Sequence, residues 1–249
     1  MTTTMHDELT FTVCLYRGTN DVDSMVAFLQ TMGMGPVLYN EHDPDLTYVY
    51  GKGGVIALYE NPDRGRPGRA ELSFCTNDYE AATDLFESYD LNIVKAAADA
   101  VPGVTVTDTN GQAIWVGQAV LDRTEAEKAA NQVEILALRH SQSVAGDSEF
   151  FEVLGFENQK DGEVNWRVLN SDDPSGIIGL AEGNLPTCDD GQAEVQIGFV
   201  TTENLDQVAA RMRDAGYFTG DVIMEADTPF FTVTDPDGVT AGVFAKHRL

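Results

Sequence analysis

The side chains able to do covalent or metal chemistry are few and far apart in this chain. Three cysteines occur, Cys14, Cys75 and Cys188, with no CxxC pair and no Cys/His cluster. Neither a disulfide framework nor a structural zinc site is indicated. Cys14 and Cys75 lie in apolar runs and read as small buried hydrophobes. No GxSxG elbow is present, so nucleophilic acyl transfer has no candidate. The loops "GKGG" (51–54) and "NPDRGRPGR" (61–69) are rich in Gly and Pro. No helix follows them and no GxxxxGK pattern occurs, so they do not read as phosphate cradles. Arg64, Arg66 and Arg69 form a local basic cluster. It could grip an anionic ligand, but a loop tip with solvated charges is the preferred reading.

The elements that must position any site follow from hydrophobic periodicity. "FTVCLY" (11–16) reads as a strand and "DVDSMVAFLQTMGM" (21–34) as a helix stopped at Gly33. "VLY", "TYVYG" and "VIALYE" follow as strands. The order then recurs: "ELSFCT", the helix "DYEAATDLFESYD", then "NIVKAAA", "VTVTD" and "AIWVG". The stripe of that helix is Tyr79, Ala82, Leu85, Phe86 and Tyr89. A polar, Ala-rich stretch, "LDRTEAEKAANQ", reads as an interdomain linker that can be helical. After it come "EILALRH", the helix "GDSEFFEVLGF", "NWRVLN" and "GIIGLAE". The last set is "EVQIGFVTT", the helix "NLDQVAARMRDAGY", "DVIM", "FFTVTD" and "TAGVFAK".

The second half repeats the first. Gly155 follows Gly33 by 122 positions, and Leu180 follows Leu58 by the same offset. The turn "TVTDPDG" (232–238) repeats "TVTDTNG" (105–111) at an offset of 127. Constant offsets with a small insertion between them are what duplication leaves behind. The predicted fold class is α+β, with tandem βαβββ modules in two paired-module domains with curved mixed sheets. The first domain spans 8–118 (modules 8–61 and 69–118). A linker spans 119–132, and the second domain spans 133–247 (modules 133–183 and 193–247).

This order resembles the vicinal oxygen chelate superfamily, which includes glyoxalase I, extradiol dioxygenases and the bleomycin-resistance proteins. The motifs that carry the resemblance are "FFEVLGF" (150–156), "IGFVTTENLDQVAARMRDAGY" (197–217) and "VTDPDGVTAGVF" (233–244). The resemblance implies that paired modules surround a cavity holding the functional site. In metal-using members, His, Glu or Gln on the first and last strands of the modules grip a divalent ion. Such nitrogen and oxygen donors suit octahedral ions with positions left open for substrate.

Counted from the helix ends and turns, the family's positions fall at Thr12, Ala57, Glu71 and Trp115 in the first half. In the second they fall at Glu134, Gly179, Gln196 and Gly242. None is His. His6, His42, His140 and His247 are read as lying before a strand, in loops or near the terminus. Glu134 with Gln196 supplies too few donors for a useful site, so no metal and no other cofactor is expected. Glu71 and Glu134 are candidate general bases, and hydrogen-bonded cavity carboxylates are the plainer reading of both. Trp115 is either core filling or a stacking wall for a flat ligand. Gly179 and Gly242 suggest that the second cavity is the roomier.

The net charge of −26, from 15 Lys+Arg against 41 Asp+Glu, disfavours nucleic acid and anionic membranes as partners. The N-terminus has no secretory pattern, and no apolar window reaches the ~18 residues of a membrane span. A cytoplasmic location is therefore expected. The expected function is binding of a small organic molecule, hydrophobic or aromatic, in the sheet cavity without metal. The alternative is a lyase, isomerase or dioxygenase of the glyoxalase kind, divalent-metal-dependent or with an atypical site. A third reading, an assembly scaffold, rests on the tendency of these folds to pair through sheet edges, and a homodimer is compatible with all three.

Overall fold

The computed structural model of the protein describes residues 9–39, 45–60, 68–97, 101–119, 131–158, 166–171, 175–183, 194–225 and 228–246. Cys188, Arg64, Arg66, His6, His42, His247 and most of the predicted linker lie outside them.

Four units of one strand, one helix and three strands follow each other along the chain. The first comprises β1 (Phe11–Thr19), α1 (Val22–Met32), β2 (Val37–Tyr39), β3 (Thr47–Tyr50) and β4 (Val55–Glu60). The second comprises β5 (Ala70–Thr76), α2 (Tyr79–Ser88), β6 (Ile93–Lys95), β7 (Gly103–Thr107) and β8 (Ala113–Gln118). The third comprises β9 (Val133–Ser141), α3 (Val144–Val153), β10 (Glu157–Asn158), β11 (Trp166–Asn170) and β12 (Ile177–Glu182). The fourth comprises β13 (Glu194–Thr201), α4 (Leu205–Asp214), β14 (Ile223–Glu225), β15 (Thr228–Thr234) and β16 (Thr240–Ala245).

Local chemistry sets the helix ends. Asp21, Asp78, Ser143 and Asn204 each accept backbone N–H bonds from the first turn of the helix that follows, which satisfies donors the helix itself cannot. At the far end of α1, Gly33 takes a left-handed φ of 112°, a conformation a Cβ would oppose.

In every unit the first strand pairs in parallel with the last. The first strands of units one and two pair antiparallel, β1 with β5, and those of units three and four do the same, β9 with β13. A short antiparallel contact, Glu71 opposite Glu194 and Ala70 opposite Val195, joins β5 to β13. One mixed sheet therefore runs through both halves.

Strand alternation gives this sheet two faces. Val13 and Leu15 of β1, Ile56 and Leu58 of β4, and Phe74 of β5 point to the helices and share one core with α1, α2, α3 and α4. Each such side chain contributes about 1.5–3 kcal/mol by leaving water. The opposite face, helix-free among the described residues, carries two small clusters, one in each half. No helix among the described residues is long and apolar enough to cross a membrane.

The halves interlock reciprocally on the helix side. Val13 N–H donates to the Ser175 carbonyl at 2.7 Å, and Ile135 N–H donates to the Gly53 carbonyl at 2.9 Å. Gly54 has room only for hydrogen: a Cβ there would stand 2.9 Å from Ile135 Cβ, and one at Gly176 would stand 2.8 Å from Val13 Cβ. Buried arginines repeat the exchange. Arg17 of β1 reaches Asp235 in the turn between β15 and β16, and Arg139 of β9 reaches Asp108 in the turn between β7 and β8. Each turn is folded by its aspartate. Asp108 Oδ1 accepts from Asn110 and Gln112 N–H, and Asp235 Oδ1 accepts from Asp237 and Val239 N–H.

Several expectations need correction. Tyr89 is not on the buried stripe of α2 but 58% exposed, because the helix stops at Ser88. The third unit has a strand that the sequence does not announce, β10, since "EN" is polar and is defined only by pairing with β11. His140 lies inside β9 rather than in a loop.

Candidate functional site

In the first half, Thr12, Ala57, Glu71 and Trp115 sit on strands β1, β4, β5 and β8, at positions that face away from the helices. Register separates them into three rows. Val55, Cys14, Ser73 and Trp115 are successive cross-strand partners in the first row. Ala57, Tyr16 and Glu71 make the second, and Thr12 with Cys75 makes the third. The residue level with Trp115 on β1 is thus Cys14, two positions beyond Thr12. A two-residue slip keeps the face and changes the level.

Tyr48 and Tyr50 of β3 extend these rows, opposite Ala57 and Val55. Cys14, Tyr48, Val55 and Ala57 are buried, with Tyr16, Tyr50 and Cys75 packed against them and half-buried. Sequence reasoning missed the tyrosines. Their signal was the alternation in "TYVY", which sends both phenols to one face.

Burial pushes the Tyr16 phenol far above the usual tyrosine range, helped by the Cys14 thiol and Tyr48 nearby. Burial does the same to Tyr50, with Cys75 and Cys14 as the next causes. Cys14 is held as a thiol by its hydrogen bond to Cys75, then by burial. Both cysteines are free. A thiol so held is a poor nucleophile, because the thiolate is the reactive form.

Trp115 lies flat along the sheet. A Cβ at Gly103 would stand 2.3 Å from its Cζ2, and one at Gly117 would stand 2.8 Å from its Nε1. The two glycines are cross-strand partners on β7 and β8, so the indole covers the bare backbone they leave. Glu71 stands at the half–half junction, with Arg69 Nη2 3.5 Å from its Oε1.

In the second half, Glu134, Gly179, Gln196 and Gly242 are also spread over three rows. Leu138 separates Gly179 from Gln196. Gly242 is level with Gly198 and Leu136, and Glu134 is level with Val200 and Phe244. Glu134 is buried and ion-paired with Lys246. The hollow expected at Gly242 is filled: a Cβ there would lie 2.7 Å from the Phe244 ring, which stacks on Phe230 at 5.4 Å. The second face is therefore apolar and packed rather than roomy.

The divalent ion that the sequence resemblance would imply does not fit these side chains. The central row of the second half offers Leu136, Gly198 and Gly242, none of which has a side-chain donor. Glu134 is engaged by Lys246, and Gln196 is a single amide one row away. In the first half the central row offers three uncharged groups, the Cys14 thiol and the Ser73 and Tyr50 hydroxyls, beside Val55 and Trp115. Among the described residues no three His, Cys, Asp or Glu side chains converge.

No family model matches the sequence, and no curated protein matches it. Solved structures do resemble it. A crystal structure of catechol 2,3-dioxygenase superposes with a TM-score of 0.63 at 14% identity, covering 93% of this chain and 86% of that one. A variant of homoprotocatechuate 2,3-dioxygenase from B.fuscum gives 0.61 at 15% identity, covering 95% and 71%. The Mn(II)-bound glyoxalase from Novosphingobium aromaticivorans gives 0.61 at 15% identity, covering 94% and 81%. At this identity the likeness is one of fold alone, and it extends over both halves: the chain shares the fold of these dioxygenases and this glyoxalase.

Proposed function

We propose that the protein binds a small, uncharged aromatic or hydrophobic molecule on the helix-free face of its first half, without a metal ion. The observation that carries this reading is the surface at the family's metal level. It is made of phenols, thiols, an indole and aliphatic side chains, with the Tyr16 and Tyr50 phenols held neutral by burial and the Cys14 thiol by its hydrogen bond to Cys75 and by burial. Its half-exposed members, Tyr16, Tyr50, Cys75 and Trp115, have apolar area that a flat ligand would remove from water. The hydroxyls of the half-exposed Tyr16 and Tyr50 can donate to or accept from one polar group of that ligand. The similar fold of catechol 2,3-dioxygenase, named for a flat aromatic diol, supports a ligand of that shape.

The test is a thermal-shift screen of planar phenols and fused aromatics against the wild type, Trp115→Ala and Tyr48→Ala. A ligand at about a hundred times its Kd should add about 2.7 kcal/mol of stability. Both variants should lose most of that gain while remaining folded. Failure of every compound to stabilise the wild type would overturn the proposal. So would one equivalent of transition metal retained by protein purified without chelator.

A further inference from the structure

A second cavity lies on the other side of the sheet, between the halves. Its volume is about 280 Å³, and its walls include Arg17, Phe28, Leu29, Ile56, Phe199 and Ala241. These side chains come from β1, α1 and β4 of the first unit and from β13 and β16 of the fourth. The chain's internal repeat explains the space. Positions 122 residues after Met25, Leu29 and Met34 are occupied by Asp147, Phe151 and Phe156. In that copy, Phe74 packs on Phe151 and Phe156 at ring distances of 6.1 and 5.6 Å, and Arg139 lies over Phe151 at 5.8 Å. Where the third unit places two rings and a carboxylate, the first places a leucine and two methionines.

We propose that this interface cavity is a binding site for an uncharged one- or two-ring molecule with a single polar end. A cavity of about 150 Å³ already accommodates benzene, so the volume suits a bicyclic ring system. Three observations set the ligand class. Most of the wall is apolar and buried, including Phe28, Leu29, Ile56 and Phe199. The polar part of the wall is Asp235 beside Arg17, so one end of the cavity can meet one polar group. The Arg17 guanidinium is already engaged by Asp235 and by Asp237 at 3.2 Å. These two carboxylates outnumber the one cation, so this end of the cavity rejects anions. This site stands independently of the one on the helix-free face, because the sheet separates them.

Indole as the neutral probe and 1-naphthalenesulfonate as the anionic one test the assignment by calorimetric titration. Indole should bind the wild type and the sulfonate should not. Leu29→Phe, which copies the filled repeat, should weaken indole binding at least about tenfold with an unchanged far-UV spectrum. Ala241→Met fills the cavity from the opposite wall and should do the same, which covers the case of a misfolded Leu29→Phe. Trp115→Ala should leave this binding intact. The assignment is overturned if indole does not bind, if the sulfonate binds as well, or if both filled variants bind indole like the wild type. Loss of indole binding in Trp115→Ala alone would place the ligand on the other face, leaving the proposed function standing and this inference refuted.

Discussion

Arg139 and Asp108 form a fully buried ion pair between the two halves, with both side chains at 0% exposure. Asp108 serves two partners at once. One oxygen folds its own turn by accepting from Asn110 and Gln112 N–H, both at 2.8 Å. The other accepts from the arginine of the opposite half. Asp147, held by Thr109 at 2.8 Å, places a second carboxylate oxygen 3.7 Å from the Arg139 Nε. Arg139 is thus the hub of an acidic cluster in which removing the cation leaves two buried carboxylates.

Arg139→Met should therefore destabilise the protein by about 3–5 kcal/mol, the usual cost of leaving buried charge uncompensated. Arg139→Met combined with Asp108→Asn and Asp147→Leu should recover part of that loss. Urea unfolding of the single and triple variants measures both. A single variant within about 0.5 kcal/mol of wild type would show that the pair contributes nothing net.

Gly54→Ala and Gly176→Ala should each destabilise by about 1–3 kcal/mol, because the new Cβ meets Ile135 or Val13 at under 3 Å. Both also have φ of +88°, which any side chain opposes. Gly111→Ala and Gly238→Ala are the controls. They also have positive φ but nothing within 4 Å of a Cβ. They should cost about 1 kcal/mol, the backbone part alone. Thermal unfolding of the four variants separates the contact from the backbone term.

Stability should fall as pH rises through about 10, the ordinary tyrosine value. Folding raises the affinity of Tyr16 and Tyr50 for their protons. Their contribution is fully present below the unfolded value. It is lost above that value, where the unfolded chain ionises and the folded one does not. Tyr16→Phe and Tyr50→Phe together should flatten the alkaline limb of a stability-versus-pH curve. An unchanged limb would mean the phenols ionise freely in the folded protein.

Gly103→Ala should push the Trp115 indole off the sheet, since the added carbon would overlap its ring. The expected sign is a shifted tryptophan emission and a loss of about 1–3 kcal/mol. Adding Trp115→Ala should abolish most of that loss, giving a clear coupling in the double-mutant cycle. Additive losses would place the ring elsewhere.

The sequence made some levels legible and hid others. Apolar alternation in "VIALYE" and "AIWVG", and Gly33 and Gly155 after their helices, mark elements whose cause is local. The eight positions read as cavity residues lie on the helix-free face for the same reason, since a period of two fixes the face. Their level is a different matter. Thr12 misses the row of Trp115 by one cross-strand pair, because register is set by partners distant in sequence. Tyr16, Tyr48 and Tyr50 meet only once β1, β4 and β3 are aligned. Arg17 and Arg139 carry no local sign of burial either. Each looks like a solvated charge until the aspartate of the opposite half arrives. The twin "TVTD" turns are the one visible trace of that arrangement, and a turn alone does not say which cation it receives.

The exchange of arginine for aspartate between the halves has a symmetry of its own. Each half gives one cation and receives carboxylate in return, Asp235 and Asp237 for Arg17 and Asp108 for Arg139, so the contact is close to isologous. A free half-length chain would present both surfaces at once and could satisfy them with a copy of itself. Expressed separately, residues 1–118 and 133–249 should accordingly seek each other, or their own kind, rather than persist as monomers.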